Sequence, residues 1–345
     1  MKIVKNFLRQ NNFKKIIIFF FLFLFVMCSK KDGLHKFSGQ TMGTVYNITI
    51  YKPSLSEDEL SFVKEKVELT LIKVNKKMNP FDPQSEISKF NDHHFLTPFP
   101  ISDEFYDLII TAKEIYQISN GAFDPTIAPL VNYYGFGITG DEPKTISKTK
   151  IDSLEKIIGF DKITIEKQKL IKSNFNIKLD LSAIAKGYGV DKLAQILISS
   201  GYKNFIIEIG GEVYLHGLNN NKKWRLGIDV PETNNNPGEK LQSILKLTNK
   251  GVATSGDYRN FYIKNNKRIS HLIDPRTGNS ISHDLASVTI VAENCTYADA
   301  IATASIVLGK KDGIKFVEAI PNVEGYFIFR NGEEFSVKAT SGFGK

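Results

Sequence analysis

The order in which two hydrophobic periods occur constrains this chain most. Leu60, Val63, Val67, Leu71, Val74 and Met78 recur every three or four positions, which predicts an amphipathic helix over 57–78. Ser56 and Glu59 supply a capping box in front of it. Phe105, Leu108, Ile109, Ala112, Ile115 and Tyr116 mark a second helix closed by Asn120-Gly121. A third is predicted from Ala183 to Ser200, stopping at Gly201. Beyond Gly201 the period falls to two. Short strands are expected at Phe205–Ile209, Glu212–His216, Arg225–Val230, Ser243–Leu247, Phe261–Lys264 and Ser287–Val291, separated by turns rich in Gly, Asn or Pro. Val45–Tyr51 alternates as an earlier strand, and helices at 296–308 and near 311–319 lead to a final hairpin around Gly332. Helices and strands in blocks, without strict βαβ alternation, predict an α+β fold: a mostly antiparallel sheet with packed helices.

Residues 1–28 follow a different logic. Lys2, Lys5, Arg9, Lys14 and Lys15 precede an unbroken apolar run, Ile16–Met27, and Cys28 follows at once. The run is too short for a membrane-spanning helix but suits an export signal. A Cys at its end resembles the lipidation site of bacterial lipoproteins, although Phe25-Val26-Met27 departs from the usual box; an uncleaved N-terminal anchor is the alternative. Either way the body is expected outside the cytoplasm, membrane-anchored on the periplasmic side of a bacterial envelope. On this reading 1–28 is the export segment, 29–38 a tether and 39–345 one domain. Five of the formal +8 charges sit in that leader, and the remaining +3 advertises no nucleic-acid partner. Cys295 is the one other cysteine, so an acylated Cys28 leaves no intramolecular disulfide and the core must suffice unaided.

Several segments concentrate chemistry. Ser270–Gly278 brings His271, Asp274 and Arg276 to the mouth of one predicted hairpin, more than a turn requires and suited to an anionic substrate. In Gly121–Thr126 small residues admit a ligand, Phe123 or Tyr134 could stack on a flat ring, and Asp124 could bind a polar edge. A Pro/Gly-rich connector with a buried Phe123 satisfies the same run. Asp180–Gly189 reads as a strand leading into a helix, with Ser182 as cap and Lys186 attracting a phosphate, or as an ordinary capped helix. Glu208–Glu212 reads as a tight Gly-Gly turn between strands. Within Thr254–Asn260, Asp257 and Arg259 could bind anions or order the His271 hairpin. Asp299 and Thr303 share one helix face, an oxygen pair suited to Mg²⁺, while Thr296-x-x-Asp299 also reads as a capping box.

Taken in order, these segments resemble the FAD:protein FMN transferase (ApbE) family. The matching pieces are Met42-Gly43-Thr44, Met78–Asp82, Gly121–Pro125, Asp180–Tyr188, Glu208–Glu212, Ala253–Asn260, Ser270–Gly278 and Ala298–Ala304, spanning about 39–309. The resemblance implies Mg²⁺-dependent transfer of FMN from FAD, the substrate, to a Thr or Ser hydroxyl of a partner protein, releasing AMP. It implies acceptors among flavin-bearing subunits of membrane redox complexes. It implies Mg²⁺ held by Asp299, Thr303 and the carbonyl of Ala185, and an FAD site lined by Met42, Asn79, Ala122, Phe123, Asp124, Ser182, Tyr188 and Ile273. Lys186 would face a phosphate and His271 would be the base, with Asp274 orienting it or serving in its place. Pro80, Tyr133-Tyr134 and Leu272 depart from the common pattern, and Pro80, beside Asn79, leaves the balance of transfer and hydrolysis open. An FAD pyrophosphatase and a non-catalytic FAD-binding lipoprotein are the competing readings.

Overall fold

The computed structural model describes residues 33–138, 146–233, 236–258, 260–332 and 334–344. The leader, including Cys28, lies outside them, as do Arg259 and the Asn234-Asn235 pair.

The chain enters as an antiparallel pair, β1 (Leu34–Thr41) and β2 (Thr44–Tyr51), joined at Met42-Gly43, both at positive φ. The sequence reading placed 34–38 in a tether. Leu34 in fact pairs with Tyr51, and the strand continues in register to Thr41, so those residues belong to the sheet. The alternation in β2 sends Tyr46, Ile48 and Ile50 inward.

Helix α1 (Glu57–Met78) begins as expected: Ser56 accepts from the Glu59 amide, and the Glu59 carboxylate accepts from the Ser56 amide. Its buried stripe, Val63, Val67, Leu71, Val74 and Met78, is the stripe legible in the sequence. Next come α2 (Glu86–Asn91), β3 (Phe99–Pro100), α3 (Asp103–Ile118), α4 (Ala128–Tyr133), α5 (Lys148–Glu155), β4 (Ile163–Ile165) and β5 (Lys169–Lys172). The three strands form a satellite sheet in the order β3-β5-β4.

No strand leads into the third long helix. Residues 177–181 are irregular and 182–184 form a turn, and α6 spans Ala185–Ser199. Ser182 does not cap it: its amide donates to the Asp180 carboxylate at 2.8 Å, two residues short of Ile184, which takes the cap position without a side-chain bond. The strand β6 (Phe205–Ile209) and β7 (Glu212–His216) follow, then β8 (Trp224–Asp229), β9 (Leu241–Leu247) and β10 (Lys250–Gly256). Two small ribbons, β11 (Phe261–Lys264) with β12 (Lys267–Ser270) and β13 (Ile273–Asp274) with β14 (Asn279–Ser280), precede β15 (Leu285–Ala292). Helix α7 (Cys295–Glu318) breaks at Gly309 (φ 76°, ψ −170°), which accounts for the two helices expected there. Asn294 caps it, so the Thr296–Asp299 capping box does not form and the Asp299 carboxylate is free for other work. The hairpin β16 (Glu324–Asn331) and β17 (Glu334–Ala339) closes the fold.

One antiparallel eight-stranded sheet, β1-β2-β6-β7-β10-β15-β16-β17, organises everything. Helices α1, α6 and α7 cover one face, and the β8–β9 hairpin covers the other around Trp224, Leu245 and Val291. Every residue of β15 is buried, its two hydroxyl residues Ser287 and Thr289 included; Thr289 shares a hydrogen bond with Thr254 on β10. Among the described residues no helix is long and apolar enough to cross a membrane.

Replacing Ser56 with Ala removes one side of the capping box and should lower stability by about 1 kcal/mol, read by urea unfolding, with no change in ligand binding.

Candidate active site

The starts of α6 and α7 meet beneath the end of the sheet. A Cβ at position 187 would lie 2.4 Å from the carbonyl oxygen of Cys295, so Gly187 is what allows the two helices this approach. The Gly187 amide then donates to Asp299 Oδ2 at 3.0 Å. One turn along α7, Thr303 Oγ1 lies 3.2 Å from Ser255 Oγ on β10. Both residues face a cavity of about 1180 Å³.

Lys186 also lines this cavity, its Nζ 2.6 Å from a Glu212 carboxylate oxygen at the start of β7. Burial opposes the Lys186 charge, but the carboxylates of Asp299 and Glu212 outweigh it and raise the ammonium's pKa, so the lysine stays charged. Burial raises both acids in turn, Asp299 and Glu212. Sequence reasoning missed Glu212, because its Gly-Gly-Glu context reads as a turn; the turn is real, with Gly210 and Gly211 at φ 58° and 105°.

His271 lines the same cavity. Its Nδ1 lies 3.0 Å from the Asn260 carbonyl oxygen, which can only accept, so Nδ1 carries the proton and Nε2 keeps its lone pair. Burial lowers the His271 pKa below its ordinary 6.5, leaving the imidazole neutral at pH 7. Asp274 does not orient it. That carboxylate holds Arg276 bidentately at 2.8 and 2.7 Å and closes the turn after β13, so the Asn260 carbonyl takes the orienting part. Asp257 is similarly occupied: it pairs with Arg330, and its carbonyl accepts from Arg268 at 2.7 Å, which ties the β11–β12 ribbon to the sheet.

Ala122, Phe123, Asp124, Ser182 and Ile273 line the cavity as expected. Asp124 accepts from the amide and hydroxyl of Thr126 at 2.8 and 2.6 Å, yet burial pushes its pKa up to about 6. The remaining expected residues stand elsewhere. Met42 lies in the β1–β2 turn against Gly189, and Asn79 caps the end of α1 and accepts from the Phe81 amide. Tyr188 points to the far side of α6 and donates to the Glu104 carbonyl at 3.2 Å. Tyr134 is buried and donates to the Gly278 carbonyl, so it offers no stacking face. Ala185 opens α6 directly before Lys186, and Ala183, two residues earlier, lines the cavity. Each of these positions follows from helix phase or turn geometry that spacing alone does not reveal.

The donor set fits a hard divalent ion. Asp299 and Thr303 offer oxygen one turn apart, while the described residues contain no group of three His, Cys, Asp or Glu that could hold a metal alone. Hydroxyl, backbone or substrate oxygens must complete any coordination.

A profile of the ApbE family matches residues 42–327. The chain belongs to the ApbE family. It is 35% identical over 325 residues to the FAD:protein FMN transferase of Haemophilus influenzae, covering 92% of this chain and 93% of that one. The Escherichia coli K12 enzyme of the same name is 30% identical over 337 residues, covering 94% of each. Among solved structures, the Vibrio cholerae flavin transferase ApbE superposes with TM-score 0.80 at 33% identity, over 90% of this chain and 98% of that one. The apo form of the Pseudomonas stutzeri flavinyl transferase ApbE gives 0.81 at 30%, over 90% and 95%. The large antiparallel sheet with its helical layer is therefore the ApbE fold.

The raised Asp124 pKa carries a stability consequence. The unfolded carboxyl ionises near 3.8 and the folded one near 6, so folded stability falls as pH rises between them and levels off above. Asp124→Asn keeps an acceptor for Thr126 and removes that fall. Relative to wild type it should gain up to about 3 kcal/mol between pH 4 and pH 7 in urea titrations.

Proposed function

We propose that this ApbE-family chain transfers FMN from FAD to a Thr or Ser hydroxyl of a target protein and releases AMP. The observation that supports this best is the cavity wall itself. Asp299 and Thr303 stand one turn apart beside the charged Lys186, and the same cavity is lined by a neutral His271 whose Nδ1 is held by Asn260, leaving the Nε2 lone pair available. The curated relatives carry the name FAD:protein FMN transferase.

In this reading Lys186 holds the pyrophosphate, and Ala122, Phe123, Asp124, Ser182 and Ile273 hold the rest of FAD. Asp299 and Thr303 would hold Mg²⁺ together with the backbone carbonyl of Ala185, the residue before Lys186. A bound Mg²⁺ supplies neutralisation of pyrophosphate charge. His271 Nε2 takes the proton of the acceptor hydroxyl. That oxygen forms a bond to the FMN phosphorus as the bond to the bridging oxygen breaks, and AMP leaves with that oxygen. Asn260, through its carbonyl, keeps the imidazole in the tautomer the step requires.

The acceptors proposed are flavin-bearing subunits of membrane redox complexes, met on the periplasmic side by an enzyme anchored through its N-terminal segment. The basic leader, the apolar run and Cys28 support that placement.

The test incubates the full chain with FAD, Mg²⁺ and candidate redox subunits, reading FMN adducts by intact mass together with released AMP. Wild type should give an adduct; Asp299→Ala and His271→Ala should each lower the transfer rate by about 100-fold or more. His271→Ala should leave FAD binding within about twofold. AMP and FMN without an adduct on any acceptor would establish hydrolysis instead. Cys28→Ser should shift the protein from the membrane to the soluble fraction on ultracentrifugation; unchanged membrane association would refute lipid anchoring at Cys28.

A further inference from the structure

The cavity has two halves separated by the sheet. In β2, Tyr46, Ile48 and Ile50 pack toward α1 and α6, so Val45 and Asn47 face the other way. In β6 the same alternation turns Ile206 and Glu208 to the outer face, towards the β8–β9 hairpin. Yet Val45, Asn47, Ile206 and Glu208 line the same cavity as Lys186 and His271. The two halves join over the end of the sheet at Gly210-Gly211. A Cβ on Gly211 would meet nothing within 4 Å, so no side chain of that turn fills the passage. At about 1180 Å³ the cavity lies above the roughly 300–1,000 Å³ typical of pockets for drug-sized ligands.

A strand edge crosses this passage. Pairing of β7 with β10 ends at Val213 and Val252, whereas pairing of β10 with β15 continues to Gly256 and Ser287. Thr254, Ser255 and Gly256 thus line the cavity along an edge that no strand of the described residues pairs. Ser255 on that edge touches Thr303, so the edge runs directly to the proposed metal-binding oxygens. The outer half continues from it beneath Leu226, Ile228 and Leu241 of the hairpin, with Leu241 44% exposed.

We propose that the outer half binds the acceptor polypeptide as an extended segment, added as a strand along Thr254–Gly256 and leaving between the sheet's outer face and the β8–β9 hairpin. This rests on the transferase reading, which requires a macromolecular hydroxyl beside the FMN phosphorus. An unpaired strand edge recognises any extended main chain through its amides and carbonyls, and pockets for alternate side chains add selectivity. Val45, Ile206 and Leu241 supply apolar contacts for such a segment, and continuity with the Asp299–Thr303 wall delivers its hydroxyl to the site.

The probe is the redox subunit that the wild-type enzyme flavinylates, together with a peptide spanning its modified hydroxyl. Val45→Trp narrows the outer half and Leu241→Glu removes an apolar contact; Val45 is 47% exposed, so neither change disturbs the core. Each should raise the acceptor KM by about tenfold or more, with the FAD dissociation constant, read by flavin fluorescence, within about twofold of wild type. N-methylation of backbone amides beside the acceptor hydroxyl should raise the peptide's KM as well. An acceptor KM unmoved by both substitutions, or FAD binding weakened in parallel with it, would overturn the groove. Absence of any adduct from the wild-type enzyme would overturn the transferase reading and the groove with it.

Discussion

The approach of α6 to α7 at Gly187 is the contact on which the site depends. Without a Cβ there, the Gly187 amide reaches the Asp299 carboxylate, and the residue before it, Lys186, is carried between Asp299 and Glu212. Any larger side chain would push the helices apart against the Cys295 carbonyl and separate the charges that define the cavity wall. Close packing thus fixes electrostatics: the helix contact is a few atoms wide, but it sets which ionisable groups share a low-dielectric space.

That shared space is unusual in holding two buried carboxylates beside one ammonium. Burial raises both acids, and the lysine is retained in its charged form because each acid supports it. In the proposed reaction a divalent cation at Asp299 and Thr303 would join the Lys186 ammonium in favouring a pyrophosphate. The neutral His271 in the same cavity is left able to accept a proton.

The same sheet end serves both substrates in this account. One face is filled by helices, the other by a hairpin, and β10 runs on past the end of its pairing with β7. A two-substrate enzyme whose acceptor is a protein needs an enclosed half for the small donor and an open half for the chain. The Gly210-Gly211 turn, forced to glycine by its positive φ values, leaves the route between them clear.

The amino-acid sequence by itself determined the elements. Period and capping placed α1 to the residue and located β6 and β7, and His271, Asp299 and Thr303, singled out in the sequence, line one cavity. Ordered motifs pointed to the family across nearly the whole described body. Local order is legible because side-chain period and cap chemistry act over a few residues. Tertiary structure decided what no local rule can carry. It drew residues 34–38 into the sheet, turned Tyr188 away from the cavity, tied Asp274 to Arg276, and chose the Asn260 carbonyl to hold the imidazole. It also made a bland-looking turn residue, Glu212, the partner of Lys186. These outcomes depend on which helix phase faces which strand end, contacts between residues far apart in the chain, and that is settled only when the sheet and its helices pack together.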